Sequence, residues 1–186
     1  MRLLALLLAL PAAAAAGQPR VYWSGDRAAV VSERLVEYYK LPAGAAVSVE
    51  DGKAVFKKGK TVLTLVPESK RPFASDLLPP GHKDGNRGAF ILCAGGGAHF
   101  CGAVTVAGKE IFRLNSRPAS GALQPAGLSD DGSEALFAAV KTEPKREVTE
   151  WLIRTKKGAQ RWAIVSDPEA ERLLKRFQGT NVLPAP

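Results

Sequence analysis

From Ala46 onward, short runs of β-branched and aromatic residues alternate with glycine-bearing turns, and this punctuation restricts most of the chain to short strands. Ala46 to Glu50 alternates in polarity, Asp51-Gly52 is a type I′ turn signal, and Lys53 to Phe56 returns. Lys57-Lys58-Gly59-Lys60 makes a second turn into Thr61 to Val66. Ala89 to Ala94 and Phe100 to Val106 read as paired strands about Gly95-Gly96-Gly97-Ala98, and Ala107-Gly108 leads into Lys109 to Leu114. Ala135 to Lys141 is a further strand. Val148 to Thr155 and Gln160 to Val165 form a hairpin about Lys156-Lys157-Gly158-Ala159, with Trp151, Ile153, Trp162 and Ile164 as its alternating apolar positions.

Two segments read as helices. In Asp26 to Lys40, the residues Ala28, Val31, Leu35 and Tyr38 or Tyr39 recur at spacings of three and four, Ser24 or Asp26 is available as a cap, and Leu41-Pro42 ends the run. Ser166-Asp167-Pro168-Glu169 is a helix start, with Ala170, Leu173, Leu174 and Phe177 as its apolar stripe and Gly179 at its close. The expected fold is therefore α+β: mostly antiparallel sheet or sheets, with an N-terminal and a C-terminal helix packed against them. Strands and helices do not alternate, which argues against a parallel nucleotide-binding sheet. Pro67 to Gly88 and Asn115 to Ser133 read as long loops rich in Pro, Gly, Asp, Asn and Ser.

The N-terminus has the order of a secretory signal: Arg2, the apolar Leu3 to Leu10, Pro11, then small residues from Ala12 to Ala16. The apolar run falls short of the roughly 20 residues of a membrane-spanning helix. The organisation expected is a signal peptide over residues 1–16, one exported α+β domain over 17–180 and a disordered tail over 181–186, placed in the periplasm or secreted. No transmembrane segment is expected in the mature chain. The full sequence has a formal charge of +8, one unit of it on Arg2, so the expected mature chain carries +7, which suits an anionic partner such as an envelope component or an acidic protein.

Cys93 and Cys101 are the only cysteines, and an even pair in an oxidising compartment favours a disulfide between them. The alternative chemistry uses Cys93, His99 and Cys101 as soft metal ligands, or one cysteine as a thiol nucleophile with His99 as its base. Only His82 remains as a further histidine, and the sole methionine is Met1. The string His99-Phe100-Cys101-Gly102 resembles a segment that precedes the catalytic histidine of trypsin-like proteases. No Ala-Ala-His-Cys follows it and no Gly-Asp-Ser-Gly-Gly occurs, so no protease role is carried over. Gly95 to Gly97 lacks the Gly-Lys-Ser/Thr ending of a phosphate loop. Asp130 and Asp131, beside Gly132, read as turn residues.

The remaining feature is basic charge at two hairpin tips: Lys57, Lys58 and Lys60 at one, and Lys156, Lys157 and Arg161 at the other. On a shared rim they would form one anion-binding edge. Trp151 and Trp162 read as core, with base or sugar stacking as the other use for their rings. The leading expectation is an exported, non-enzymatic binding protein of the cell envelope or extracellular space, without a cofactor, that engages an anionic partner through these tips. The alternative is a small exported metal-binding or thiol/redox protein or enzyme centred on Cys93, His99 and Cys101.

Overall fold

A computed structural model describes residues 19–32, 35–73, 85–94, 100–115, 123–144, 146–155, 157–158, 160–163 and 167–177. In chain order the strands are β1 (Arg20–Ser24), β2 (Arg27–Ser32), β3 (Leu35–Lys40), β4 (Ala46–Glu50), β5 (Lys53–Lys58), β6 (Thr61–Leu63), β7 (Ser69–Pro72) and β8 (Gly85–Asn86). They continue with β9 (Ala89–Ala94), β10 (Phe100–Thr105), β11 (Glu110–Asn115), β12 (Gln124–Leu128), β13 (Ala135–Glu143), β14 (Arg146–Arg154) and β15 (Gln160–Ala163), and the chain then enters the helix α1 (Pro168–Phe177). They form four sheets: A, in the order β7-β3-β2-β1-β8; B, β4-β5-β6; C, β11-β10-β9; and D, β12-β13-β14-β15. Among the described residues, all pairings are antiparallel except β1 with β8.

The expected α+β plan is overturned. The fold is mostly β, and α1 is the one helix among the described residues. The expected N-terminal helix over Asp26 to Lys40 is instead β2 and β3, paired from Arg27↔Lys40 to Ser32↔Leu35. Gly25-Asp26 makes the two-residue connection from β1, with Gly25 at φ 60°, the conformation that the first position of a II′ turn demands. The helical spacing misleads because Ala28, Ala29, Val30 and Val31 are all buried. A strand covered on both faces carries a continuous apolar run, and periodicity alone does not separate such a run from a buried helix. The two segments read as loops also carry strands: β7 and β8 lie within 67–88, and β12 within 115–133.

Burial on both faces recurs from sheet to sheet. Val21, Ala28, Val30 and Tyr39 of sheet A meet Val47 and Phe56 of sheet B, while Tyr22, Ala29, Val31 and Val36 pack on the opposite side with Phe90 of sheet C. Ala89, Ile91 and Phe112 of sheet C then face Leu128, Phe137 and Leu152 of sheet D. Leu136, Trp151 and Ile153 on the far side of sheet D meet Leu173 and Phe177 of α1. The layers therefore follow the order B, A, C, D, α1. Each contact between sheets holds an aromatic pair: Tyr39 with Phe56 at 4.8 Å, Tyr22 stacked on Phe90 at 5.1 Å, and Phe112 edge-on to Phe137 at 6.4 Å. Trp151 is a core residue and Trp162 packs partly buried against the sheet C–sheet D cluster, so neither ring is a free stacking face.

α1 begins where Asp167 caps it: the Glu169 N–H donates to Asp167 Oδ1 at 3.0 Å. Glu169 and Glu171 occupy its first turn and Lys175 and Arg176 its last, which complements the helix dipole. Phe177 closes over Gly127, where a Cβ would lie 2.4 Å from the ring.

Candidate binding surfaces and the cleft between sheets A and C

Cys93 and Cys101 stand directly opposite each other on β9 and β10 and are joined as a disulfide, with a Cα–Cα distance of 4.0 Å. Both are buried against sheet D. The bond occupies both sulfurs, so the thiolates needed for soft-metal ligation or nucleophilic attack are not available in this state. His99, His82 and the signal-like residues 1–16 lie outside the described residues, as does the tail over 181–186. Among the described residues no helix is long and apolar enough to cross a membrane.

The basic residues fall into two separate layers. Lys57, Lys58 and Lys60 belong to the β5–β6 tip of sheet B. Lys157 and Arg161 belong to the β14–β15 hairpin of sheet D, and Lys156 lies outside the described residues. Sheets A and C stand between the layers that carry the two groups.

Within sheet B, Lys57 donates to both oxygens of Glu50 at 2.6 and 2.8 Å, and Ser48 Oγ donates to the same carboxylate. The Lys57 hydrogen bond, followed by that of Ser48, draws the Glu50 carboxyl below its ordinary range. Lys58 and Lys60 project from the tip into solvent. Val62, opposite Lys57 on the face turned away from sheet A, is 62% exposed, and Val66, on the segment leaving β6, is 84% exposed.

Within sheet D, Arg161 grips Asp167 through two 2.7 Å hydrogen bonds and reaches Glu169 at 2.7 Å. Asp167, then Glu169, holds its guanidinium above its usual range, and its charge is spent on anchoring the start of α1. The hollow beneath this hairpin is lined by Glu134, Lys157, Arg161, Glu169 and Arg172, a mixture of both signs. Glu134, only 6% exposed, is paired with Arg176 of α1.

A further candidate site lies between sheets A and C, a cleft of about 270 Å³. Val36, Tyr38, Arg71, Pro72 and Phe73 line one side, and Leu92, Phe100, Gly102, Val104, Glu110 and Arg113 the other. Strand register explains the placement. Arg71 pairs with Val36 and so shares its face, which looks toward sheet C. Phe100, Gly102 and Val104 alternate onto the face of β10 that looks toward sheet A, and Arg113 stands opposite Gly102.

A bulge completes the rim. Ala103 pairs with Phe112 but Val104 with Glu110, leaving Ile111 as the extra residue. The extra residue shifts the strand's parity, so Ile111 and Phe112 both pack toward sheet D while Glu110 and Arg113 both face the cleft. Arg113 accordingly bridges Glu110 at 2.8 Å, with its guanidinium carbon 5.1 Å from the centroid of the Phe100 ring. Phe100 is 36% exposed. Tyr38 is almost wholly buried, and burial pushes its phenol upward, partly opposed by the positive charge of Arg71.

Sequence reading did not identify this cleft. In the sequence Arg71 is only the last cation of the positively biased stretch from Lys53 to Arg71, and Arg113 does not stand out at all, because the two meet through strand register and a bulge that local pattern does not reveal. The class these features define is a multilayered, mostly β protein held by one cross-strand disulfide, with a basic, partly apolar tip and an arginine-rimmed cleft. Comparison with protein-family models, with curated proteins and with solved structures found no match.

Proposed function

We propose that this chain is an exported, non-enzymatic binding protein that docks on an anionic surface of the cell envelope through the β5–β6 tip of sheet B. The observation that carries the reading is the pairing, in one small sheet, of the outward Lys58 and Lys60 with the exposed side chains of Val62 and Val66. Exposed cations next to exposed aliphatic groups suit an anionic lipid surface, where each lysine contributes about 1 kcal/mol and apolar side chains enter the interface. Export is supported by the signal-like N-terminus and by the disulfide, a bond that persists in oxidising compartments. The β14–β15 hairpin is not needed for this role, since Arg161 is already committed to α1.

Co-sedimentation with vesicles tests the proposal. The protein should bind vesicles containing phosphatidylglycerol, ignore pure phosphatidylcholine, and release as salt rises, because exposed charges are screened within about 8 Å at physiological ionic strength. Lys58→Glu with Lys60→Glu should weaken binding at least about tenfold. Equal binding to both vesicle types would overturn the reading, and so would binding unaffected by the double reversal.

A further inference from the structure

We propose that the cleft between sheets A and C is a second, independent binding site, one that takes a small amphipathic monoanion: a carboxylate on an aliphatic body. Phe73, Leu92 and Val104 supply apolar walls, and the Phe100 ring supplies a face at the mouth. The volume of about 270 Å³ is near the low end for ligand pockets. It accommodates roughly ten non-hydrogen atoms if each takes about the 30 Å³ share of a liquid water.

Charge sets the other half of the ligand. Arg113 is matched by Glu110, whereas Arg71 has no ion-pair partner among the described residues. The rim therefore carries one net positive charge, which a single carboxylate balances. Arg71 is also the group best suited to the headgroup, because a guanidinium receives a carboxylate through two parallel hydrogen bonds. The ligand's tail then runs from Arg71 along Phe73 toward Leu92 and Val104, with Arg113 held over Phe100 as the opposite lip. Tyr38 forms part of the floor and is itself fixed by packing against Gly108.

Octanoate and 1-octanol, which share a chain length and differ in charge, are the probes. Titrated into the oxidised, isotope-labelled protein, octanoate should give saturable amide shifts at Leu92, Val104 and Arg113, and octanol should bind at least tenfold more weakly. Arg71→Gln should erase that preference by weakening octanoate about tenfold and leaving octanol unchanged. Leu92→Trp, which fills the cleft, should weaken both, with near-ultraviolet circular dichroism reporting that the variant is folded. Lys58→Glu with Lys60→Glu should leave octanoate binding as it was, which separates this site from the lipid-surface reading. Equal affinity for the two probes would overturn the proposal, as would shifts confined to another part of the protein or a folded Leu92→Trp variant that still binds. Should Leu92→Trp fail to fold, Arg71→Gln decides the matter, since it changes an exposed side chain and leaves the core untouched.

Discussion

Asp131 shows how much a single turn residue can organise. Its Oδ1 accepts hydrogen bonds from Ser129 Oγ at 2.8 Å, Ser133 Oγ at 2.7 Å and the Ser133 N–H at 3.0 Å. These bonds, those of Ser133 foremost, lower its carboxyl from 3.8 to about 2. The folded state thus binds the proton more weakly than the unfolded chain. The stabilisation is complete above about pH 4 and is lost as pH falls through about 2. The urea midpoint of the native protein should therefore exceed that of Asp131→Asn by a constant margin above that window, and the margin should fade within it. A margin that does not change with pH would show that the ionised form has no special role. The turn itself was legible from Asp130-Asp131-Gly132. The two serines that bracket it were not, because a serine's partner depends on side-chain geometry.

At the scale of elements, the packing of α1 rests on one small residue. Gly127 lies opposite Leu136 on the face of sheet D that meets the helix, and the Phe177 ring fills the space where a side chain would be. Gly127→Ala should force the ring aside and destabilise the protein by about 1–3 kcal/mol, the usual cost of overpacking. Equilibrium denaturation would measure this, and a change within about 0.5 kcal/mol, ordinary for a surface substitution, would refute it. The same scale shows where sequence patterns inform and where they fail. The Asp51-Gly52 turn has both residues at positive φ, 48° and 71°, as its signal implies. Strand β9 runs from Ala89 to Ala94, the bounds read from the sequence. Those segments are framed by strong breakers. By contrast, Ala28 to Val31 presents apolar groups to sheets B and C together, and a run without alternation takes whichever period the eye supplies. Gln124–Leu128 was concealed for another reason: Pro125 and Gly127 are poor strand formers, tolerated at an edge beside a bulge.

Across the whole molecule, the sheets at the centre and those at the ends differ in how they are protected. Among the described residues, sheets A and C are each covered on both sides by other sheets, whereas sheet B is covered on one face only and α1 forms the opposite boundary. Local opening costs least where few apolar contacts are broken. Native-state hydrogen exchange should therefore find the slowest amides in β2, β9 and β10 and much faster ones in β6 and the last turn of α1. Uniform protection across all layers would show instead that the molecule opens only as a unit. The layer sequence also explains why the candidate cleft could not be read in advance. It belongs to the seam between sheets A and C, and a seam exists only once both sheets are in place.

The order of layers nearly repeats the order of the chain. Sheet B is nested within sheet A between β3 and β7, sheet C follows, then sheet D, then α1. Most pairings join neighbours in sequence, and the disulfide closes a single hairpin. Slow, trap-prone folding is characteristic of β proteins whose partners are far apart along the chain. Here a polypeptide emerging N-terminus first can complete each hairpin from what has already emerged, add it to the growing pile, and never hold a strand waiting for a distant mate, apart from the short rims β7 and β8. The architecture is thus suited to assembly in the direction of delivery, one ply after another.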